Sequence, residues 1–333
     1  MSRQADSRLR TRLDPVAKTK TPTPKRSGRP GGRPGGRPGK QPARRVTAGD
    51  WIGGARLRTL PLGIAPVALG TGVARANGGW DLTLALLCLA VAVFLQVGVN
   101  YSNDYSDGIR GTDDFRVGPS RLTGSGSVRP KTVLKVALAF FALAAVAGVV
   151  VVVITQIWWL LAVGAAAVVA AWFYTGGKRP YGYNALGELF VFVFFGLVAT
   201  AGTTFVQLRE FPFDAWVAGV AAGLFACAVL MINNVRDIPQ DTAAGKRTLA
   251  VVVGDPVARA LYALFLLLPF FILVYFAFLY LHAPYVYFTL VVAVPAAVIG
   301  VTGKTPRELI LALQLSSLTA LVWALALSAA LFF

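Results

Sequence analysis

Carboxylates are concentrated in two short segments of the chain, residues 100–114 and residues 233–248. Each segment contains two aspartates about one helical turn apart, Asp104 with Asp107 and Asp237 with Asp241. Side chains three or four residues apart lie on the same face of a helix, so each pair can act as a unit. If the pairs met, their negative charges would repel unless cations lay between them. The pattern therefore predicts a divalent metal site.

Mg²⁺ is the cation that this set of oxygen ligands favours. It typically binds one or two carboxylates, several waters and phosphate oxygens. We expect two ions, one at each aspartate pair, and the partial negative charge of a helix C-terminus would also favour a cation. Amide side chains close to the pairs are expected to orient the carboxylates or to bind the ions directly. They are Asn100, Asn103 and Asn233.

A phosphate-bearing substrate is the third component that the pattern predicts, because phosphate oxygens commonly complete the shell of Mg²⁺. Side chains that donate hydrogen bonds lie near the acids or in residues 174–183, and we expect them to bind a diphosphate. They are Arg121, Tyr174, Lys178, Lys246 and Arg247. For Lys178 a purely topological role is the alternative, since lysine and arginine collect in cytoplasmic loops.

The composition shows what kind of elements must position these residues. Hydrophobic residues make up 56% of the 333 residues, charged residues only 14%, and the mean hydropathy is +0.63, which excludes a water-soluble globule. A membrane-spanning helix needs about 20 predominantly apolar residues. Nine stretches meet that requirement, at approximately 52–74, 82–102, 132–154, 156–175, 185–206, 214–234, 257–281, 284–302 and 307–331.

The distribution of basic residues predicts the topology. With the N-terminus in the cytoplasm, 30 of the 32 lysines and arginines fall on the cytoplasmic side, and only Arg75 and Arg209 fall outside. We therefore expect an all-α integral membrane protein with nine transmembrane helices. Both acidic segments then follow even-numbered helices, so the site they form would face the cytoplasm from the cell membrane.

Residues 1–49 differ from the rest of the chain. They hold 14 lysines and arginines against two acids, with abundant proline and glycine, which predicts a disordered basic tail ahead of a transmembrane domain at 50–333. Such a tail favours anionic lipid headgroups, or it serves topology alone. No nucleic-acid partner is expected, because aromatic residues that could stack on bases are not interleaved with the basic ones.

The motifs in these segments resemble those of the UbiA superfamily of intramembrane prenyltransferases. The family motif N-D-x-x-D-x-x-x-D matches Asn103, Asp104 and Asp107, the motif D-x-x-x-D matches Asp237 and Asp241, and Y-x-x-x-K matches Tyr174 and Lys178. The last acid of the first motif falls on Gly111, which leaves Asp113 or Asp114 as its substitute.

Longer segments resemble the 1,4-dihydroxy-2-naphthoate polyprenyltransferases of menaquinone synthesis, and the likeness extends over about residues 50–333. They are RLRTLPL at 56–62, NDYSDGIRGTD at 103–113, RVGPSRL at 116–122, YTGG at 174–177, PYGY at 180–183, GELFVFVFFGLVA at 187–199 and NNVRDIPQDTAAGKRTLAV at 233–251.

This resemblance implies nine transmembrane helices around a central cavity, with Mg²⁺ and a polyprenyl diphosphate bound at its cytoplasmic end. It further implies transfer of the prenyl group to 1,4-dihydroxy-2-naphthoate, with loss of diphosphate and CO₂, to give demethylmenaquinone. Phe192, Phe194 and Phe195 are expected to line the prenyl cavity or to face lipid. Two alternatives stay open, namely another acceptor (a hydroxybenzoate, homogentisate or a glycerol phosphate) and an ion-coupled transporter.

Overall fold

A computed structural model describes residues 46–111 and 121–333. Within these ranges the chain is helical and forms no strand, apart from one isolated bridge between Asn184 and Arg247. The predicted basic tail lies largely outside the described residues, as do Asp113 and Asp114, whereas its predicted boundary at residue 49 falls within the helix Ala48–Ala55.

Twelve α-helices occur in the described part of the chain. They are α1 (Ala48–Ala55), α2 (Pro61–Ala76), α3 (Leu82–Ile109), α4 (Pro130–Thr155), α5 (Leu160–Phe173), α6 (Gly187–Val191), α7 (Ala199–Leu208), α8 (Phe213–Ala243), α9 (Leu249–Val253), α10 (Asp255–Leu279), α11 (Leu290–Thr302) and α12 (Pro306–Phe332). Short 3₁₀ segments cover Leu57–Thr59, Tyr181–Tyr183 and Ala283–Thr289, and a π-helical segment, Phe192–Val198, joins α6 to α7.

Seven helical segments of the described residues are long and apolar enough to cross a membrane. They are Leu82–Ile109, Pro130–Thr155, Gly187–Leu208, Phe213–Ala243, Asp255–Leu279, Ala283–Thr302 and Pro306–Phe332. The segments Ala48–Thr59 and Pro61–Ala76 form an eighth span if the pair, bent by 47°, is taken as one. The chain is therefore a multi-pass helical membrane protein, as the composition predicts.

The predicted count of nine differs from this number at α5. This helix has 14 residues, so at 1.5 Å per residue it is about 21 Å long, shorter than the roughly 30 Å hydrocarbon core of a bilayer. Trp158 and Trp159 lie in a turn before it, and the chain leaves the helix at Tyr174. Nine spans and a cytoplasmic N-terminus stay predictions.

Helices α3 and α8 continue well past the apolar stretches that predict them. The predicted stretches end at residues 102 and 234, whereas the helices end at Ile109 and Ala243. The extensions are polar, and they carry Asp107 and Asp241 in helical conformation. Each helix continues into its polar segment, although Pro239 removes one backbone hydrogen bond from the extension of α8. The side chains there are therefore held on a helix and not on a loop.

Helix α8 lies at the centre of the bundle and contacts α2, α10, α12 and the segment from α6 to α7. Its most apolar stretch is 78% buried, against 28–50% for the other spans. Alanines and glycines predominate among its buried residues, and Phe225 packs edge-on against the buried Trp323 of α12 with ring centres 5.4 Å apart. Small residues allow the neighbouring backbones to approach closely, which is the usual basis of helix association in membranes.

The closest of these approaches lies between the π-helical segment and α8. A Cβ atom added to Gly196 would lie 2.6 Å from the Cα atom of Gly223 and 2.6 Å from the carbonyl oxygen of Gly219. Both neighbours are backbone atoms of a buried helix, so neither can move aside like a flexible side chain.

We predict that Gly196→Ala destabilises the protein by about 1–3 kcal/mol through overpacking. The measurement is the Tm of the purified protein in detergent. Gly202→Ala is the matched control, because an added Cβ there meets no atom within 4 Å. An unchanged Tm for Gly196→Ala would mean that the two segments are not tightly packed.

Candidate active site

One cavity of about 70 Å³ lies where the polar ends of α3 and α8 meet the segment between α5 and α6. Acids and amides from both acidic segments line it, together with three cations and two tyrosines. The lining residues are Arg56, Asn103, Asp107, Arg121, Tyr174, Thr175, Gly182, Tyr183, Asn233, Asn234, Asp237, Asp241, Lys246 and Thr248. Two segments more than a hundred residues apart thus share one site.

Asp107 is buried in the wall of this cavity, and its carboxylate has several partners. Its Oδ2 atom accepts a hydrogen bond of 2.5 Å from the Arg121 guanidinium. Its Oδ1 atom accepts one of 2.5 Å from the Tyr183 hydroxyl and lies 3.4 Å from the Lys246 ammonium. Opposite charges in such contact with a buried carboxylate favour its ionised form, which is the form that binds a metal.

The acids of α8 face the same cavity. The carboxylate of Asp237 accepts two parallel hydrogen bonds of 2.7 Å from the Arg236 guanidinium, which also donates to the side chain of Asn233 at 2.9 Å. The Oδ1 atom of Asp241 lies 3.8 Å from the ammonium of Lys246. Lys246 therefore stands between the carboxylate of α3 and that of α8.

Tyr183 supports Lys246 from a third direction. The Lys246 ammonium lies 4.6 Å from the centre of the Tyr183 ring, within the range of a cation–π contact. The Arg110 guanidinium lies 5.5 Å from the same ring and donates to the carbonyl oxygens of Thr175 and Gly177. Through these contacts the end of α3 holds the segment that follows α5 against the cavity.

Asn103 lines the cavity one turn before Asp107. Its Oδ1 atom accepts a hydrogen bond of 2.7 Å from the Thr175 hydroxyl, and its backbone carbonyl accepts one of 3.0 Å from Arg121. These bonds fix the Asn103 amide and bring Arg121 alongside α3, so both residues lie at the cavity, and their binding of metal or diphosphate stays a prediction.

Asp104 has a different environment from the one its motif suggests. It is buried, does not line the cavity, and accepts hydrogen bonds of 2.9 and 2.8 Å from the backbone N–H groups of Leu122 and Thr123. Because successive helical residues are rotated by about 100°, Asp104 points away from the face that carries Asn103. In this structure it anchors the loop that carries Arg121, and its role as a metal ligand stays a prediction.

Three further predicted residues lie away from the cavity lining. Asn100 is buried and donates a hydrogen bond of 2.8 Å to the carbonyl of Ala55, so it holds the end of α1. Lys178 is exposed. Arg247 is exposed as well, and its backbone N–H donates to the carbonyl of Tyr183 at 3.0 Å. Substrate binding by these three residues stays a prediction.

Sequence reasoning did not single out several residues that line the cavity, namely Arg56, Thr175, Gly182, Tyr183, Asn234 and Thr248. Arg56 ends α1 with φ 56° and ψ 59°, a left-handed conformation unusual for arginine, and this turn places it at the cavity. The available signals were weak: an arginine inside the first apolar stretch, and the second of two consecutive asparagines at 233–234.

A row of aromatic rings leads from the cavity along the start of the third of the seven spans. Tyr174 packs edge-on against Tyr181 at 5.5 Å, Tyr181 stacks on Phe190 at 4.0 Å, and Phe190 stacks on Phe194 at 6.2 Å. Burial raises the pKa of the Tyr181 hydroxyl, which stays protonated and donates to the carbonyl of Ala170 at 2.9 Å.

Of the three phenylalanines considered for the prenyl cavity, Phe194 belongs to this aromatic row. Phe195 packs against the main hydrophobic core, and the Phe192 ring lies against Gly223 of α8. All three are partly buried. Lining of a prenyl cavity stays a prediction for each of them.

The donor atoms of the cavity fit Mg²⁺. They are carboxylate oxygens of Asp107, Asp237 and Asp241 and amide oxygens of asparagine, without sulfur or imidazole, which is the chemistry that a hard cation prefers. Within residues 46–111 and 121–333, no three acid, histidine or cysteine side chains are grouped closely enough to hold a metal by themselves.

The fold and the cavity together define a multi-pass membrane protein with an oxygen-rich, cation-flanked site at the ends of two of its spans. The chain belongs to the UbiA prenyltransferase family, whose sequence profile matches residues 64–307. The family expected from the motifs is thereby confirmed.

Curated relatives show which members of the family the chain is similar to. The chain is 46% identical over 301 residues to a 1,4-dihydroxy-2-naphthoate octaprenyltransferase of Mycobacterium tuberculosis, covering 85% of this chain and 97% of the relative. It is 36% identical over 226 residues to the protein of the same name from Escherichia coli, covering 65% of this chain and 72% of the relative.

Solved structures share the fold. A UbiA homolog from Archaeoglobus fulgidus, bound to GPP and Mg²⁺, superposes with a TM-score of 0.59 at 14% identity, covering 84% of this chain and 99% of the other. The apo structure of a UbiA homolog from Aeropyrum pernix superposes with a TM-score of 0.63 at 17% identity, covering 80% and 96% of the two chains.

The position of Asp104 leads to a prediction that separates its two roles. Asp104→Asn keeps the shape of the side chain but replaces one acceptor oxygen by an NH₂ group. One of the two loop N–H groups then loses its acceptor, and the other keeps only an uncharged one. Each such bond contributes about 1.5–3 kcal/mol. We therefore expect the amides of Leu122 and Thr123 to exchange hydrogen at least tenfold faster, measured by hydrogen–deuterium exchange in detergent.

Asp81→Asn is the matched control, because Asp81 caps the other end of α3 through the N–H of Leu84. Unchanged exchange at residues 122 and 123, together with lost activity in Asp104→Asn, would instead support direct metal binding by Asp104.

Proposed function

We propose that this protein transfers a polyprenyl group from polyprenyl diphosphate to 1,4-dihydroxy-2-naphthoate, with release of diphosphate and CO₂, to give demethylmenaquinol, the hydroquinone form of demethylmenaquinone. The observation that carries the proposal is the shared cavity, in which carboxylates of α3 and α8 face one another with cations beside them. The names of the curated relatives supply the acceptor. No feature of the cavity favours a hydroxybenzoate, homogentisate or a glycerol phosphate over it.

Two Mg²⁺ ions are the cofactors in this proposal, one held by Asp107 with Asn103 and the other by Asp237 and Asp241 with Asn233. When bound, Mg²⁺ would offset the negative charge of the diphosphate and improve it as a leaving group. The hypothesis also assigns Asp104 to the first set. It takes Asp113 or Asp114 as the substitute for the acid missing at residue 111.

The cations of the cavity would bind the diphosphate. Lys246 lies 3.4 Å from Asp107 and 3.8 Å from Asp241, and both distances exceed the roughly 2.7–2.9 Å of a strong charged hydrogen bond. Lys246 can therefore turn towards a phosphate without breaking a short bond. Arg121 and Arg56 add guanidinium groups, which suit the paired oxygens of a phosphate.

Catalysis would follow from the charge that develops as the allylic carbon–oxygen bond breaks. Negative charge accumulates on the departing diphosphate, and donors positioned there stabilise the transition state more than the bound substrate. The carbon cation left behind is then attacked by an electron-rich ring carbon of the acceptor. The apolar walls of the bundle would hold the prenyl chain and keep water from this cation.

The proposed placement in the membrane follows from the charge distribution. Nine spans with a cytoplasmic N-terminus, α5 being the short one, put 30 of the 32 basic residues and the cavity on the cytoplasmic side of the cell membrane. The tail at residues 1–49 would bind anionic headgroups or serve topology, ahead of a transmembrane domain at 50–333. A transporter is disfavoured, because the acids lie at helix ends and not near the middle of the spans.

We predict that Asp107→Asn and Asp237→Asn each lower kcat/KM by at least about 100-fold, since each removes a charge that the bound metal and diphosphate require. The measurement is steady-state kinetics with purified protein in detergent. In cells that lack this protein and regain a variant at matched protein level, the quinone content determined by mass spectrometry should be correspondingly lower than with wild type. Asp255→Asn is the control, because Asp255 is half-exposed on α10 and pairs only with Arg259 among the described ion pairs. Near-normal turnover of both variants in excess Mg²⁺ would contradict the site.

A second comparison separates the cavity lysine from the exposed one. We expect Lys246→Ala to raise the KM for polyprenyl diphosphate by about 10- to 100-fold, which corresponds to the loss of one charged hydrogen bond. Lys178→Ala is the companion variant, and we expect a smaller effect because Lys178 is exposed. Steady-state kinetics with purified protein in detergent gives both values. An equal effect of the two variants would show that the segment after α5 moves into the site with substrate.

A further inference from the structure

Glu188 is an acid that has no role in the reaction proposed above. It lies in the second position of α6, within the span Gly187–Leu208, and is 5% exposed. Its Oε1 atom accepts a hydrogen bond of 3.0 Å from the side-chain NH₂ group of Asn234. Its Oε2 atom is shielded from solvent and has no hydrogen-bond partner among the described residues.

A carboxylate in this position is costly. No lysine or arginine of the described residues forms an ion pair with Glu188. A charged group buried without a cation, and a polar atom buried without a hydrogen bond, both disfavour folding. Acids retained at such cost inside membrane-spanning helices mark functional sites. The Oε2 atom has no hydrogen-bond partner within residues 46–111 and 121–333, and it therefore points to a ligand.

Both neighbours of Glu188 face the cavity. Asn234, which holds its carboxylate, is a lining residue. Tyr174 is another, and a Cβ atom added to Gly187 would lie 3.8 Å from the Tyr174 hydroxyl and 3.5 Å from its ring. Glu188 is thus separated from the cavity by one layer of side chains, which includes Asn234 and Tyr174.

Glu188 and Asn234 lie deeper in the bundle than the cavity cation Lys246. Asn234 precedes Asp237 by three residues and Asp241 by seven, about 4.5 and 10.5 Å along α8 at 1.5 Å per residue. Both steps lead from the end of the helix into the bundle. Asn234 therefore belongs to the floor of the cavity, with Glu188 directly behind it, whereas Lys246 belongs to its mouth.

The chemistry of the group restricts its ligand. An ionised carboxylate only accepts hydrogen bonds, so a ligand that binds Glu188 in this form must donate one. A diphosphate is an anion that Glu188 would repel, and a prenyl chain has no polar group. The aromatic acceptor of the proposed reaction carries ring hydroxyls, which are the donors that the carboxylate requires.

We propose that Glu188, oriented by Asn234, binds a ring hydroxyl of the aromatic acceptor at the floor of the cavity. This inference rests on the proposed function for the identity of the acceptor. A hydrogen bond from the hydroxyl to a carboxylate leaves more electron density on the ring, which favours attack by a ring carbon on the allylic cation. It also turns that carbon towards the mouth, where the diphosphate leaves.

Glu188→Gln tests the role of the Oε2 atom. Glutamine has the same shape, and its carbonyl oxygen can still accept from Asn234, but an NH₂ group replaces the acceptor oxygen. A purely structural role would survive this change. We expect the KM for 1,4-dihydroxy-2-naphthoate to rise at least tenfold in the full-length protein, roughly the effect of one lost hydrogen bond to a charge. The KM for polyprenyl diphosphate and the Mg²⁺ concentration at half-maximal rate should change by less than about twofold, and the Tm by less than about 2 °C.

The ligand side is tested with 2-naphthoate, which lacks the hydroxyls. Wild type should bind 1,4-dihydroxy-2-naphthoate at least tenfold more tightly than 2-naphthoate in titrations without donor substrate, and Glu188→Gln should lose this preference. Glu210→Gln, in an exposed loop, is the matched control and should retain it. If Glu188→Gln does not fold, Asn234→Ala should lower the same preference, because the carboxylate loses its support.

Each outcome has a definite meaning. An unchanged acceptor KM and an unchanged preference in Glu188→Gln would overturn the inference, and so would a shift confined to the Mg²⁺ dependence, which would assign Oε2 to a metal-bound water. If the wild type prenylates another hydroxyl-bearing aromatic compound but no naphthoate, only the proposed acceptor is overturned. Glu188→Gln and wild type would then be compared on that other acceptor.

Discussion

The neutralisation of carboxylates inside an apolar helix bundle is the constraint on which the rest of this structure depends. Asp107, Asp237 and Asp241 face one cavity, where unpaired negative charges would repel strongly because the surroundings screen them poorly. Arg121 and Lys246 lie against Asp107, and Lys246 also approaches Asp241, so one ammonium serves both α3 and α8. The same arrangement holds two helices together and leaves cations where a charged substrate would bind.

Polar residues at the end of α3 that do not line the cavity hold the loops around it. Asp104 accepts hydrogen bonds from two backbone N–H groups of the loop that carries Arg121, and Arg110 donates to two carbonyl oxygens of the segment that follows α5. Neither residue touches the cavity, yet each sets the position of a group that does. Side chains in the polar extension of α3 therefore divide between facing the cavity and holding its rim, according to the face of the helix on which they lie.

Polarity in the cavity changes with depth. Cations and aspartates occupy the mouth at the ends of α3 and α8, while the floor holds Asn234. Behind Asn234 lies Glu188, which forms no ion pair with the described lysines and arginines. A reaction between an anionic leaving group and a hydroxyl-bearing ring needs this separation, because one partner requires donors and the other an acceptor. The close packing of α8 against the π-helical segment brings Glu188 to Asn234 and so creates the floor.

The sequence by itself determined the class of protein, the acid pairs at helix ends and the family, because hydropathy, charge counts and motif spacing are local properties of the chain. Tertiary structure decided which of those residues meet. Asp104 faces a loop, Lys178 is exposed, and Arg56, Tyr183 and Asn234 line the cavity, none of which follows from spacing. The face of a helix that meets a cavity depends on packing against segments distant in sequence, as the contact of Glu188 with Asn234, 46 residues away, illustrates.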